Sequence, residues 1–165
     1  MSTKAELRAE LKQARLEMSE ANRTVKSRAI NERLKGALEW SQVKSVHYFE
    51  PIKSLVEVDI SGFIVWLEDD YPDIQLATTR QIGDKWEMIS LKSTPPPEKF
   101  DVIIVPMLGF DEQLHRIGYG GGYYDKFLST QPQAKKIGVC FEQGKIQNIP
   151  AESHDIPMHE IITEV

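Results

Sequence analysis

The chain has a single cysteine, Cys140, among its 165 residues, so no disulfide can form within it. It also has no apolar run near the roughly 18 residues that a membrane-spanning helix needs. Its first residues, MSTKAELRAELKQAR, alternate in charge and lack the apolar segment of a signal peptide. We therefore expect a cytoplasmic protein with no membrane partner, in which Cys140 is buried and inert.

The chain also lacks the excess of positive charge that broad nucleic-acid binding requires, because its formal net charge is −5. Basic residues are nevertheless concentrated in the first 36 positions, where the simplest interpretation is a solvated helix face. With 41% hydrophobic residues, the chain has enough apolar material for one core. Its length predicts a single domain over residues 1–165, and we expect a monomer that binds no nucleic acid.

Hydrophobic spacing predicts four helices. Leu7, Leu11 and Ala14 favour a first helix over 3–17, and Ser19 is a candidate N-cap for a second that reaches about residue 39. A third is predicted over 57–70 and a fourth over 120–130. The apolar stripe of the second helix comprises Val25, Ala29, Ile30, Leu34 and Leu38, and that of the third comprises Phe63, Ile64 and Leu67.

Short β-rich runs alternate with these helices. The predicted strands are 45–49, 75–79, 85–91, 101–106, 136–141 and 160–163. The pair 75–79 and 85–91 is separated by a turn that contains Gly83, which is typical of a hairpin. Three prolines at 95–97 predict an extended loop over 92–99. The fold class expected is α/β, with an open, mainly parallel sheet flanked by helices and two helices at the N-terminal end.

The segment that carries chemistry is residues 105–126, VPMLGFDEQLHRIGYGGGYYDK, which follows a buried strand and leads into a helix. Gly118 and Gly120–Gly122 allow a close backbone approach to phosphate oxygens, and Arg116 can contact the same phosphate. Asp125, in the first turn of the helix, suits Mg²⁺. The alternative is a glycine-rich turn shaped only by packing, since neither standard nucleotide-binding pattern matches in full.

The run FDEQLHRIGYGGGYYDKFL resembles the signature of the 5-formyltetrahydrofolate cyclo-ligase family. KAELRAELKQAR is similar to the N-terminal helix of that family, EVDI at 57–60 to its Glu-Val-Asp element, and 137–164 to its C-terminal segment. This resemblance implies the open sheet of the sugar-phosphate isomerase and CoA-transferase folds. It also implies ATP-dependent, Mg²⁺-dependent closure of 5-formyltetrahydrofolate to 5,10-methenyltetrahydrofolate, with ATP and a reduced folate as partners.

The resemblance also implies roles for individual residues. Arg116 and Tyr124 are the expected catalytic residues, and Asp125 and Asp155 the expected Mg²⁺ ligands. The expected ATP-binding residues are Lys4, Arg8, Arg116, Gly118, Gly120, Gly121, Gly122, Tyr123 and Tyr124. The expected folate-binding residues are Ile52, Glu57, Tyr119 and Tyr123.

Each of these residues has a plainer interpretation. Lys4 and Arg8 suit an exposed surface, Glu57 and Asp59 a helix N-terminus, and Asp111 the bracing of its own turn. The pair His154–Asp155 also suits an ordinary turn, while Tyr123, Tyr124 and Phe127 suit a core.

The chain departs from the family pattern at three places. The aromatic-Gly-Ile-x-[Glu/Gln]-Pro element that precedes the Val-Pro strand is absent, and Trp86 and the prolines occupy that stretch. EVDI replaces EVDT, and Leu114 stands where a glycine is common. Two alternatives stay open: a nucleotide-binding relative with another substrate, and a non-catalytic protein-binding module that keeps only the fold.

Overall fold

The computed structural model describes residues 2–92 and 95–165. Its α-helices are α1 (Lys4–Leu16), α2 (Glu20–Lys35), α3 (Ser61–Asp70) and α4 (Tyr123–Ser129). Its strands are β1 (Ser45–Tyr48), β2 (Gln75–Ile82), β3 (Lys85–Ser90), β4 (Val102–Pro106), β5 (Gly109–Phe110), β6 (Arg116–Ile117), β7 (Lys135–Val139) and β8 (Glu160–Ile162). In these two stretches no helix is long and apolar enough to cross a membrane.

Six strands form one sheet in the order β3-β2-β1-β4-β7-β8, and β5 pairs with β6 in a separate small hairpin. All neighbours in the large sheet are parallel except β2 and β3, which pair in the predicted antiparallel hairpin. The expected α/β class with a mainly parallel sheet is confirmed. The 109–110 and 116–117 pair was not predicted, because two-residue strands have too few positions to show a period.

The sheet is covered on both faces, which explains why β4 is apolar at every position. Val102 and Ile104 pack in a core with α2 and α3, whereas Ile103 and Val105 pack with α4 on the opposite face. Burying a side chain of this size stabilises the fold by about 1.5–3 kcal/mol. The sheet is therefore a rigid platform on which the loops at its carboxyl edge are mounted.

Helix α2 begins as predicted but differs at its end and on its buried face. Ser19 is the N-cap, since its Oγ accepts from the Asn22 backbone N–H at 3.1 Å. The helix ends at Lys35 rather than near residue 39, and Gly36 is its C-cap. Val25 was wrongly placed in the apolar stripe, for it is 65% exposed. The buried polar residue Asn31 takes part in the contact instead, because it bonds to the Asp59 carbonyl and the Phe63 N–H of the next segment.

Helix α3 begins at Ser61, so the prediction of a helix from Glu57 was wrong. Val56 has φ +51°, a left-handed conformation that turns the chain before Glu57. Residues 57–60 then run outside any helix, and Asp59 Oδ1 accepts from the Ser61 N–H at 3.0 Å. Asp59 thus braces the turn that precedes the helix, whose N-cap is Ile60, while Glu57 is left free of the helix.

The fourth helix begins at Tyr123, three residues later than predicted, because Gly120 and Gly122 have φ +99° and +69°. Leu114, where a glycine is common in the resembling family, also has φ +66°. The predicted strands at 101–106, 136–141 and 160–163 are confirmed to within two residues. In the predicted loop at 92–99, Ser93 and Thr94 lie outside the described residues, and the rest has no helix or strand.

Candidate active site

A cleft of about 580 Å³ opens at the carboxyl edge of the sheet. Phe49 and Glu50 follow β1 into it, Thr78 and Thr79 enter from β2 where its pairing with β1 ends, and Pro106 closes β4. In open α/β sheets, ligands bind outside the carboxyl ends of strands, where the strand order reverses. The position of the cleft follows that rule.

Every residue predicted for the site lines this one cleft. They are Lys4, Arg8, Ile52, Glu57, Arg116, Gly118, Tyr119, Gly120, Gly121, Gly122, Tyr123, Tyr124, Asp125 and Asp155. They come from both ends and the middle of the chain, so folding brings together what the sequence keeps apart. Their shared location makes the individual roles testable, and the roles themselves stay predictions.

Arg8 of α1 lies against the glycine-rich segment. Its Nε donates to the Gly118 carbonyl at 2.9 Å, and a Cβ on Gly120 would lie 3.2 Å from its Cζ. Arg8 forms no ion pair with a carboxylate of the described residues, unlike Lys4 and Arg116 in the same cleft. A partly buried guanidinium that has no carboxylate partner among the described residues and packs on a glycine-rich backbone is suited to bind phosphate oxygens.

Lys4 ties the start of α1 to the C-terminal loop. Its Nζ lies 2.5 Å from Asp155 Oδ2 and 3.7 Å from Glu152 Oε1. Burial alone would raise the pKa of Asp155, but the Glu152 backbone N–H and the Lys4 ammonium outweigh it and lower that pKa. Asp155 is therefore ionised near neutral pH. Lys4, the cation paired with it, lines the same cleft and is available to an anionic ligand.

Arg116 is held mainly by the protein. Its Nη2 donates to Asp125 Oδ1 and its Nη1 to the Ile156 carbonyl, each at 2.8 Å, and the side chain is 7% exposed. These bonds use two of the five N–H donors of the guanidinium, so contact with a phosphate, as expected from the sequence, does not require Arg116 to give up either bond. The pairing also orients Asp125 at the first turn of α4.

A buried chain of polar groups supports Glu57. Its Oε2 accepts from the Ile52 N–H at 2.6 Å, and the Tyr119 hydroxyl lies close enough to influence the pKa of the carboxyl. The Tyr119 oxygen in turn accepts from Arg15 Nη1 at 3.1 Å. Burial raises the pKa of Glu57, although the Ile52 N–H and the Tyr119 hydroxyl oppose this effect. The cleft thus contains a carboxylate shielded from water, which is suited to accept N–H donors of a ring.

A family model described as the 5-formyltetrahydrofolate cyclo-ligase family matches residues 71–164, more than half of the chain. The chain belongs to this family.

Individual relatives agree with the family match. The 5-formyltetrahydrofolate cyclo-ligase of Mycoplasma pneumoniae is 28% identical over 163 residues, 96% of each chain. The solved structure of a 5,10-methenyltetrahydrofolate synthetase from the same organism has a TM-score of 0.83 and 26% identity, and it covers 99% of this chain and 100% of that one. The match to the Haemophilus influenzae cyclo-ligase is 28% identical over 80 residues, so it spans only 43% of that enzyme's length.

Two residues of this cyclo-ligase-family chain were missed by sequence reasoning. Arg15 was counted among solvated charges but is 3% exposed, and its Nη2 donates to the Met107 carbonyl at 2.9 Å. Its spacing was a usable signal, since positions 8 and 15 fall on one face of a helix. Trp86 of the β2–β3 hairpin also lines the cleft, although it is 59% exposed. The centroid of its ring lies 5.9 Å from that of Tyr123. An aromatic side chain therefore lines the cleft from the part of the chain that lacks the aromatic-Gly-Ile-x-[Glu/Gln]-Pro element of the family.

The plainer interpretations hold for two other residues. Asp111 braces its own turn, because its Oδ1 accepts from the N–H groups of Gln113 and His115 at 3.0 Å. Cys140 is fully buried, and burial raises the pKa of its thiol to about 12.

The donor set in the cleft fits Mg²⁺ only together with phosphate. No group of three or more His, Cys, Asp and Glu side chains suited to a metal occurs in residues 2–92 and 95–165. Mg²⁺ usually takes one or two carboxylates and completes its shell with substrate phosphates and water. Asp125 and Asp155 would be the carboxylates that hold it, together with the phosphates of a bound nucleotide.

The glycine-rich segment allows a test that separates folding from ligand binding. A Cβ on Gly121 would meet no atom within 4 Å, so Gly121→Ala should keep stability within about 0.5 kcal/mol of wild type. If phosphate approaches this backbone, the same change should weaken MgATP binding about tenfold or more. Gly120→Ala should both lower the stability and weaken MgATP binding, because it strains a residue with positive φ and displaces Arg8.

Urea unfolding and calorimetric titration with MgATP provide the two measurements. Gly83→Ala is the matched control for Gly120→Ala. Gly83 also has positive φ, but it lies in the hairpin turn and does not line the cleft. The control substitution should lower stability and leave MgATP binding intact. Unchanged MgATP affinity in the Gly121 variant would show that phosphate does not approach there.

Proposed function

We propose that this chain catalyses the ATP- and Mg²⁺-dependent cyclisation of 5-formyltetrahydrofolate to 5,10-methenyltetrahydrofolate, with release of ADP and phosphate. The observation that carries the proposal is the composition of the cleft. The same walls present Arg8, which has no carboxylate partner among the described residues, and Glu57, which is a buried carboxylate. The first suits a polyphosphate and the second a ring with N–H donors, so a nucleotide and a pteridine can lie side by side.

The chemistry begins with attack of the formyl oxygen on the γ-phosphorus of ATP, which releases ADP and leaves an imidate phosphate. N10 of the folate then attacks the formyl carbon, the C–O bond to phosphate breaks, and N10 loses its proton. Phosphoryl transfer of this kind depends on alignment and charge neutralisation rather than on a nucleophilic side chain. Mg²⁺, when bound, neutralises charge on the phosphoryl oxygens.

The residues of the chain supply the alignment. Arg8 and Lys4 neutralise phosphate charge, and the open backbone at Gly118 and Gly121 lets the phosphates approach. Arg116 is proposed to stabilise the negative charge of the transferred phosphoryl group. Tyr124 is proposed to lie beside that group in the wall of the cleft.

On the folate side, Glu57 accepts hydrogen bonds from the pteridine ring while the Ile52 N–H holds its carboxylate in place. Trp86 and Tyr123 offer flat apolar faces to an aromatic ring of the substrate. The β2–β3 hairpin thereby supplies the side of the folate pocket that the absent aromatic-Gly-Ile-x-[Glu/Gln]-Pro element would otherwise form.

Glu57→Gln tests the folate half of the site. The substitution keeps the shape and removes the charge, so we expect the KM for 5-formyltetrahydrofolate to rise about 10- to 100-fold, as for loss of a charge-assisted hydrogen bond. The Kd for MgATP should not change. Initial rates are followed by the absorbance of the methenyl product, with folate varied at saturating MgATP.

Glu50→Gln is the matched control for this variant. Glu50 also lines the cleft, but it is exposed and paired with Arg80. It should keep a KM near that of wild type. Equal behaviour of the two variants would remove Glu57 from the folate site.

We also propose that the sheet is of the sugar-phosphate isomerase and CoA-transferase type. Counted along the chain, the strands of the large sheet follow the order 3-2-1-4-5-6, which supports an open doubly wound arrangement. The further proposal is that residues 1–165 act as one domain, as a monomer in the cytoplasm, without a nucleic-acid partner.

A further inference from the structure

A buried hydrogen-bonded chain runs from the core of the sheet to the cleft. His47 of β1 is fully buried, and its Nε2 lies 3.0 Å from Thr79 Oγ1. Thr79 Oγ1 lies 2.5 Å from the Tyr123 hydroxyl oxygen. Thr79 and Tyr123 both line the cleft, whereas His47 packs among aromatic rings behind it. Nothing in the catalytic scheme above uses His47 or Thr79.

The position of the proton on His47 decides which group donates and which accepts in each hydrogen bond from His47 through Thr79 to Tyr123. Burial lowers the pKa of His47 to about 3, so its ring is neutral and carries a single N–H near neutral pH. Its Nδ1 has no hydrogen-bond partner in the described part of the chain. A proton on Nδ1 would bury an N–H donor with no acceptor, and orphaned N–H groups are rarer than unmet acceptors. A proton on Nε2 instead meets Thr79.

The remaining hydrogens then follow in order. Thr79 Oγ1 accepts from His47 Nε2 and has one hydrogen of its own to donate. Its other close partner is the Tyr123 oxygen, while the Met88 sulfur, at 3.8 Å, is a weak acceptor. Once the Tyr123 oxygen accepts from Thr79, the phenolic hydrogen needs a different acceptor. No protein acceptor bonds to it among the described residues, and Tyr123 is a wall of the cleft.

We propose that His47, through Thr79, fixes the Tyr123 hydroxyl as a hydrogen-bond donor to an oxygen acceptor of the bound substrates. His47 and Thr79 are positioning residues, and the acceptor is an anionic phosphoryl oxygen or the formyl oxygen. The inference rests on the proposed function, because that function defines the two oxygens. Its physical advantage is preorganisation: the donor is aimed before the ligand arrives, so no hydrogen has to be redirected on binding.

Side-chain substitutions test the chain as a unit. Tyr123→Phe should lower kcat/KM about tenfold, as expected for loss of one hydrogen bond to a polar or charged acceptor. Thr79→Val, which keeps the shape and removes the hydroxyl, should lower it by a similar factor, and Thr79→Ser should restore most of the loss. The double variant should be no worse than either single variant, since both changes break the same chain.

Separate titrations identify which oxygen is bound. If the acceptor belongs to ATP, both single variants raise the Kd of MgATP measured without folate. If it belongs to the formyl group, the Kd of 5-formyltetrahydrofolate measured without ATP rises instead. A Thr79→Val protein with wild-type kcat, KM and Kd values, or a double variant with multiplied losses, would overturn the proposal.

The tautomer of His47 gives a readout that does not depend on turnover. Long-range ¹H–¹⁵N correlation spectra of the full chain should show the His47 proton on Nε2, and a proton on Nδ1 would overturn the proposed direction. If wild-type protein made no methenyl product, the proposed function would fail, while this spectrum would still decide the direction of the chain.

Discussion

Replacing Arg15 by methionine is expected to lower the free energy of unfolding by about 3–5 kcal/mol, the range for removing one partner of a buried charged network. Arg15 donates to the Met107 and Leu108 carbonyls and to the Tyr119 oxygen. Without it, both carbonyls lose this donor, and the Cys140 thiol still donates to the Leu108 carbonyl at 3.4 Å. Glu57 also loses a buried cation whose charge lowers its pKa, so its ionised form becomes still harder to bury.

Arg8→Met is the matched control, because the same substitution is made on the same helix face two turns earlier. Arg8 has one backbone hydrogen bond and no ion pair within the described residues, so its loss should change stability by about 1 kcal/mol or less. It should weaken MgATP binding about 10- to 100-fold. Urea unfolding and MgATP titration of both variants give four values. A stable Arg15→Met protein would contradict the structural role assigned to that residue.

Acidification from pH 7 to pH 5 is expected to cost the protein about 2 kcal/mol of stability through His47 alone. Burial lowers the pKa of His47 to about 3, against 6.5 for the unfolded chain. A group with a lowered folded pKa contributes stability above its unfolded pKa and loses it as the pH falls toward the folded value. The loss therefore begins near pH 6.5 and continues to about pH 3.

Other groups titrate in part of this range, so the measurement compares variants. Burial raises the pKa of Glu57, and protonation of that carboxyl opposes the loss as the pH falls. His47→Gln removes the titrating ring and keeps an N–H donor, so its stability should fall by about 2 kcal/mol less than that of wild type between pH 7 and 5. His154→Gln makes the same substitution at an exposed position and is the control for the change of residue type. Parallel curves for wild type and His47→Gln would show that His47 is not held neutral.

Much of the fold is predictable because some local patterns have one physical interpretation. A strand buried on both faces is apolar at every position, so β4 is visible in the sequence, and β7 is recognisable from its apolar second half, residues 137–139. Ser19 is recognisable as an N-cap because its hydroxyl satisfies a backbone N–H that has no partner within the helix. These signals depend on neighbours within a few residues.

Positions decided by distant contacts were not predictable. Arg8 and Arg15 look alike in the sequence, and only the segment 107–119, about ninety residues later in the chain, buries one of them. Glu57 leaves its predicted helix because Val56 adopts a left-handed conformation, which β-branched residues disfavour. Trp86 joins the cleft only through the fold of the hairpin against α4.

The candidate site was assembled from motifs rather than from geometry, yet its members share one cleft. The glycine-rich run and Asp125 are adjacent in the sequence, so their proximity follows from spacing. The meeting of Lys4 with Asp155 does not, since it joins the first helix to the last loop. His47 gave no sequence signal, because a histidine in a β-rich run looks the same whether it is a core residue or part of a chain to the cleft.

The most direct test of the central claim is the absorbance of the methenyl product, followed with purified protein, 5-formyltetrahydrofolate and MgATP. We expect a rise that requires both ATP and Mg²⁺ and that disappears when either is omitted. No rise, in a protein that binds MgATP in a separate titration, would contradict the assignment of folate as substrate and favour a family member that acts on another acceptor.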